Sequence, residues 1–353
     1  MNKYIRVCII GAGFVGKKHA KAYIEQPNVR LQVICDKDKS SAQKMLNQFH
    51  FERIETDWHK AVRSIDVDLV CICVPNYMHY EIAYESIKAG KNVVCEKPLG
   101  MNGEESELLT KCAKKENVIT SCCYNLIRIP ALEYAYKKIQ NGDLGKVISF
   151  RGCYSNDRLS NPEEPFEWRM KKEYSNGGSL CDLAINVLAI SQFLIGDIES
   201  VCGMKEIIYK KRLNKDGEDS IVENDDVAQF MCNYKNGAMG FIFSNRVAPG
   251  SKQDMKISIQ LTKGAINFSL ERINEIQIFQ KGNSGFEKII SDDLSDWYCI
   301  GYEDLRAMDT KKLLNCIKNK ESPINDFEFA TKIDYVIENV IKSSENNKWI
   351  NIR

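Results

Sequence analysis

The chain has 353 residues, 44% of them hydrophobic and 27% charged, with 49 basic against 48 acidic side chains and a net charge of +1. That length exceeds one ordinary hydrophobic core, so two domains are expected. The balanced charge leaves no field for nucleic acid or an anionic membrane surface, and no run of about 18 apolar residues is present to span a bilayer.

The opening apolar run is too short for a signal peptide and passes straight into a glycine motif, so a cytoplasmic protein is expected. Through the first 120 residues, short apolar runs alternate with helical patterns, which predicts a parallel sheet. YIRVCII (4–10) reads as a buried strand and is followed by GAGFVG and a helix through KKHAKAYIEQ. LQVIC is a second strand ending at Asp36, KSSAQKMLNQF has helical spacing, and LVCICV is a strand ending at Pro75-Asn76. A helix through EIAYESIKAG stops at Gly90, where a helix end favours glycine, and NVVCE is a strand ending at Glu96-Lys97-Pro98.

Beyond about residue 125 the pattern changes. VISFRGC, SVCGMKEIIY, DVAQFMCNY, AMGFIFS, MKISIQL, AINFSL and EIQIF are longer, alternating and joined by Gly/Asn turns. That spacing predicts an antiparallel or mixed sheet. Two helical stretches, YEDLRAMDTKKLLNCIKN and DFEFATKIDYVIENVIKSS, close the chain. The expected architecture is α/β: a dinucleotide-binding domain over residues 1–125 and a second α/β domain over 126–353.

The chain has 14 cysteines. Cys8, Cys35, Cys71, Cys73 and Cys95 lie in apolar runs, where a free thiol acts as a small hydrophobe. Cys71 and Cys73 point to one face of a strand, but no second pair stands at zinc-site spacing, and the adjacent Cys122 and Cys123 suit neither bridge nor cluster. No metal and no disulfide are expected.

Gly11, Gly13 and Gly16 form G-x-G-x-x-G, a weak signal alone. Here it follows a buried strand and opens a helix, and Asp36 ends the next strand twenty residues after Gly16. That context is a dinucleotide fingerprint: the backbone of Gly11 to Gly16, with Phe14 and Val15, for the pyrophosphate, and a carboxylate for the ribose hydroxyls. Asp36 would repel a 2′-phosphate, so NAD is expected over NADP. Pro75, Asn76 and His79, and then Glu96, Lys97 and Pro98, follow two further strands, where ligands of open parallel sheets bind. A lysine beside a nicotinamide in an apolar cleft can hold and exchange a proton.

GAGFVG with Asp36, VPNYMH and CEKPLG, in this order and spacing, resemble the glucose–fructose oxidoreductase/inositol dehydrogenase/rhizopine catabolism (Gfo/Idh/MocA) family. The resemblance continues through YNLIRIPAL, with Arg128 one place later than the family's arginine, and through NPEEPFEWR, GGSLCD, FSLERINEIQIF and GYEDL. It implies a Rossmann domain followed by an α/β domain with a large open, mostly antiparallel sheet that forms dimers or tetramers. It also implies reversible hydride transfer between nicotinamide and a secondary alcohol carbon of a cyclic polyol, sugar or glycoside, with no nucleic-acid or membrane partner.

By the same resemblance Lys97 holds the reacting hydroxyl and moves its proton, and the family's D-x-G-x-H helix corresponds to Asp182, Ala184 and Asn186. Asparagine cannot titrate where histidine is usual, and all four histidines, His19, His50, His59 and His79, precede residue 80. Three readings follow. Lys97 alone carries the proton, with Asp182 orienting and Asn186 holding the alcohol; or Tyr154 or Tyr174 takes the proton; or catalysis is impaired and the chain is a dinucleotide-binding sensor or regulatory subunit. Asn125, Trp168 and Arg169 join Tyr154, Lys97, Asp182 and Asn186 as candidates for a polyhydroxylated ring. The other reading of Trp168 and Arg169 is a core cap and an ion pair with Glu163, Glu164 or Glu167.

Overall fold

The structure, a computed structural model, describes residues 4–290 and 300–352. It divides into two compact units, Met1–Asn125 with Glu303–Asp334, and Leu126–Tyr302 with Tyr335–Arg353.

The first unit is built on β1 (Ile5–Ile10), α1 (Phe14–Ile24), β2 (Val29–Cys35), α2 (Lys39–Phe49), β3 (Arg53–Glu55), α3 (Trp58–Arg63), β4 (Leu69–Ile72), α4 (His79–Lys88), β5 (Asn92–Cys95), α5 (Gly103–Glu116) and β6 (Thr120–Cys122). All strand pairs are parallel and the order is β3-β2-β1-β4-β5-β6. This is the doubly wound dinucleotide-binding order, which reverses between β1 and β4 and opens a crevice at their carboxyl ends. The strands are apolar because both faces are covered: every residue of β4 is buried.

The second unit starts with a 3₁₀ turn shared with the first, Asn125–Arg128, and continues through α6 (Pro130–Gln140) to β7 (Val147–Ser155). A π-helical turn, Leu180–Ala184, runs directly into α7 (Ile185–Ile195). Then come β8 (Ile198–Glu206), a hairpin of β9 (Lys211–Leu213) and β10 (Asp219–Ile221), β11 (Val227–Tyr234), β12 (Met239–Asn245), β13 (Asp254–Leu261), β14 (Gly264–Ser269), β15 (Glu275–Gln280) and β16 (Glu287–Ile290). With a last short strand, Ile350–Asn351, the described strands form a mixed sheet in the order β16-β15-β14-β13-β7-β12-β11-β8 and then that strand. Only β7 and β12 pair in parallel; the other neighbours are antiparallel. Alternation along β11 buries Ala228, Phe230, Cys232 and Tyr234 on one face. Helix α7 covers that face and is almost wholly buried; a Cβ on Gly152 of β7 would come within 2.3 Å of Val187.

After Tyr302 the chain returns to the first unit as α8 (Asp304–Asn319), and the division falls within α9 (Phe327–Asn346). A single boundary at 125/126 leaves this return out. Its physical basis is plain. Leu313 joins the apolar cluster of Val7, Ile9, Tyr23 and Leu69. Asn325 closes the free edge of β6, donating Nδ2 to Cys122 O (2.8 Å) and accepting from Cys122 N (2.7 Å).

Asp334, within the returning segment, is buried and accepts from Ser106 Oγ (2.6 Å) and Gly100 N (3.1 Å). Burial pushes its carboxyl up to about 7, against the lowering effect of those bonds. A carboxyl raised in the folded state contributes stability that is complete below its unfolded value of 3.8 and is lost as pH rises through about 7. Asp334→Asn is therefore expected to flatten the fall in unfolding free energy between these limits and to gain roughly 2–4 kcal/mol on the wild type at pH 8. Urea melts at several pH values check this; parallel curves for the two proteins would contradict it.

Candidate active site

Three glycines shape the loop after β1, each differently. Gly11 has φ +106°, and a Cβ there would stand 2.4 Å from Cys73 O. A Cβ on Gly16 would stand 2.0 Å from Gly11 O, so this glycine lets α1 close on the loop. Gly13 is different: a Cβ there meets nothing within 4 Å. It caps α1 with no side-chain hydrogen bond to the helix's first amides. That is the cradle a pyrophosphate needs. Asp36 Oδ2 accepts from Ala12 N (2.7 Å) and Oδ1 from Asp38 N (2.9 Å), so the acid braces the glycine loop while staying partly exposed. Phe14 is exposed and Val15 half-buried, at the helix start where their amides belong to the cradle. These residues fit a bound NAD.

Pro75 and Asn76 follow β4, with Pro75 half-buried and Asn76 buried. His79 is fully buried, and its ring nitrogens face Pro98 O (2.7 Å) and Val74 O (2.9 Å). Burial lowers its pKa against the pull of those two carbonyls. His79 therefore ties the VPN loop to the EKP loop and has no atom to spare for a cofactor.

Glu96, at the end of β5, does not reach outward either. Its Oε1 receives Arg306 NH1 (2.8 Å) and lies 2.9 Å from His19 Nε2. Burial alone would raise this carboxyl, but Arg306 and His19 outweigh it and hold the acid well below the usual range. The paired carboxylate anchors one side of Lys97, and the buried Pro98, joined by a cis peptide bond, anchors the other. Lys97 itself is half-buried between these anchors. Asn125 sits half-buried just beyond β6, at the same carboxyl edge of the sheet.

In the second unit, Asp182 lies on the π-helical turn. The start of that turn is held by a buried acid that sequence reasoning did not single out. Asp225 accepts from Gly178 N (2.9 Å) and Leu180 N (2.8 Å), while its carbonyl accepts from Ser179 N (2.9 Å). Any side chain at Gly178 would strike that carbonyl, at 1.9 Å, so the GGS run is required by the close approach. Behind it, buried Arg246 pairs with buried Asp226 (Nε–Oδ1 3.0 Å), whose second oxygen accepts from the amides of Ile208 and Tyr209.

Asn186 folds back: its Nδ2 donates to Asp182 O (2.8 Å) and Leu183 O (3.4 Å). A π turn shifts the helical hydrogen-bond ladder by one residue, and the amide serves carbonyls at this junction. Asn186 keeps only Oδ1 for other partners.

Tyr154 is buried, its hydroxyl bonded to Gln253 Oε1, and burial, with Tyr302 and Asp182 nearby, holds it above the ordinary tyrosine value. That disfavours it as a proton carrier. Tyr174 is half-buried. Trp168 and Arg169 form a 3₁₀ turn anchored by buried Met170, with the Arg169 guanidinium over the Trp168 ring at 4.4 Å. The alternative reading, an ion pair of Arg169 with a neighbouring acid, is not what the structure shows: the guanidinium stacks on Trp168, and Glu167 pairs with Arg158 (2.7 Å). The Asp182 field also acts on Arg158, a residue that no motif in the sequence marks.

The fold, the glycine cradle and the fixed lysine define an NAD-binding oxidoreductase of the Rossmann type. Residues 5–124 match the model for an oxidoreductase family with an NAD-binding Rossmann fold, and residues 132–267 match the Gfo/Idh/MocA C-terminal domain. The chain belongs to the Gfo/Idh/MocA family. It is 28% identical to the levoglucosan dehydrogenase of Pseudarthrobacter phenanthrenivorans, over 99% of this chain and 98% of that protein. It is 24% identical to the scyllo-inositol 2-dehydrogenase (NAD(+)) of Bacillus subtilis, over 99% and 96%. A levoglucosan dehydrogenase solved with NADH and levoglucosan superposes with a TM-score of 0.94 at 28% identity, covering 99% of both chains.

The cradle is testable without disturbing the fold. Gly13→Ala places a methyl in open space and should leave Tm within about 2 °C while raising the NAD dissociation constant at least about tenfold. Gly16→Ala should destabilise the protein outright. Calorimetric titration with NAD alongside thermal melts checks both; unchanged NAD affinity in Gly13→Ala would contradict the assignment.

Proposed function

We propose that this protein oxidises a secondary ring hydroxyl of an anhydrosugar, glycoside or inositol with NAD, or runs the reverse reduction. The observation that carries the reading is the lysine after β5, fixed between a charge-paired Glu96 and the buried Pro98 at the carboxyl edge of a dinucleotide sheet. The full-length likeness to dehydrogenases of levoglucosan and scyllo-inositol supports the substrate class. NAD, when bound, supplies the hydride acceptor. Lys97 holds the alcohol oxygen and takes its proton as the carbon–hydrogen bond gives up its electron pair, leaving a ketone and returning one proton to solvent. On the second unit, Asp182 orients the ring hydroxyl, and Asn186 offers Oδ1 as an acceptor to the ring. Trp168 and the stacked Arg169 give the polyhydroxylated ring an apolar face and donors, with Asn125 as a further amide. Asp36 favours NAD by repelling a 2′-phosphate.

The two domain roles follow: the first unit binds the dinucleotide, and the second binds the ring and assembles copies of the chain. Met204, Met231 and Met239 stand exposed on the face of the sheet opposite α7, and this apolar face suits a homo-oligomer.

A panel of levoglucosan, glucosides, inositols and free sugars, followed by NADH absorbance, tests the reading. At least one compound should reduce NAD, and Lys97→Met should cut kcat by about a thousandfold with NAD affinity held within about threefold. Absence of turnover across the panel by folded, NAD-binding protein would favour a dinucleotide sensor instead. Asn186→His should lower both Tm and kcat, since an imidazole does not reproduce the amide bonds across the π turn. A gain in kcat would show that the asparagine is a handicap.

A further inference from the structure

On the inner side of the dinucleotide unit, α1 lays His19 against the end of β4. One imidazole nitrogen of His19 and the sulfurs of Cys71 and Cys73 all lie within 4.8 Å of one another. Cys71 is completely buried, His19 is 3% exposed and Cys73 is partly open. The two sulfurs stand 3.6 Å apart. Tetrahedral zinc, with Zn–S bonds of about 2.3 Å, holds two thiolates about 3.8 Å apart, so this pair is spaced to within a few tenths of an ångström for one metal.

We infer that His19, Cys71 and Cys73 form a binding site for a thiophilic divalent cation, zinc in the first instance. The imidazole supports this independently. Its Nε2 is already engaged by Glu96 Oε1 (2.9 Å) and Arg306 NH1, and Cys123 Sγ lies 3.7 Å from it. Its buried Nδ1 has no hydrogen-bond partner. A metal on Nδ1 puts the ring proton on Nε2; the Glu96 carboxylate then accepts it, Arg306 NH1 donates to Glu96 rather than to the ring, and histidine metal ligands are ordinarily oriented in this way by a carboxylate. Two thiolates neutralise a divalent cation, releasing two thiol protons on binding. Glu96 and Arg306 beside the ring cancel each other, so the occupied site buries no net charge. A tetrahedral ion on these three ligands would keep a fourth position for water. The metal would stiffen the strand end against which Gly11 packs, because Cys73 O is the atom that excludes any side chain at Gly11.

The test is cobalt(II) titration of chelator-treated, reduced full-length protein. The expected result is one equivalent bound, with a sulfur-to-cobalt charge-transfer band and the intense visible bands of a four-coordinate site, both displaced by zinc. Cys73→Ser, at the partly open position, should weaken binding at least about a hundredfold while keeping the circular dichroism of the wild type. His19→Gln should lose affinity too, and Cys232→Ser, in the other unit, should change nothing. Folded wild-type protein without the charge-transfer band, or a Cys73→Ser variant that keeps it, would overturn the site and leave a thiol–thiol contact in its place.

Discussion

The first unit turns on one buried charge. Glu96 closes β5 where a doubly wound sheet meets its ligand, and an unpaired carboxylate there would cost several kcal/mol. Arg306 resolves this from the far end of the sequence, and His19 from the first helix. The pairing has two consequences. It stops Glu96 from reaching outward, which leaves Lys97 as the candidate of the Glu-Lys-Pro run for a substrate. It also makes α8 an obligate part of the dinucleotide unit, which explains why the chain comes back after Tyr302 to pack Leu313 into the same core.

A second buried ionic cluster does the same for the helix that carries Asp182. Asp225 holds the start of the π turn through three contacts, and Asp226 with Arg246 fixes the strand ends behind it. Each candidate side chain, Lys97 and Asp182, is thus presented by a carboxylate engaged in structural bonds. Asn186 fits the same logic. Its amide stitches the carbonyls of the π turn, so the residue that cannot titrate has a structural reason to be there, and the proposed proton handling rests on Lys97.

The sequence announces what is local. Apolar runs of strand length, a glycine turn opening a helix and an acid ending the next strand were enough for the parallel sheet and the cofactor cradle, because all are set within a few residues. Alternation in the later strands was enough for an antiparallel or mixed sheet. What stayed hidden is long-range. Arg306 reads as an ordinary surface arginine on an amphipathic helix, and nothing in NDRL marks Arg158. Asp225 and Asp226 look like loop acids until the backbone amides they receive are seen. His79 sits in a family motif, yet its two carbonyl partners show it to be a tie between loops. Cys71 and Cys73 were visible as one face of a strand, but the imidazole that completes their cluster comes from a helix more than fifty residues earlier.

The central claim is that a single titrating group, Lys97, handles the proton because position 186 holds an amide. It is tested most directly by the pH dependence of kcat/KM with a turned-over sugar. The account predicts one titrating limb in the wild type and its loss in whatever activity Lys97→Met retains. A bell with two limbs that survives in Lys97→Met would place the proton on other groups and contradict it.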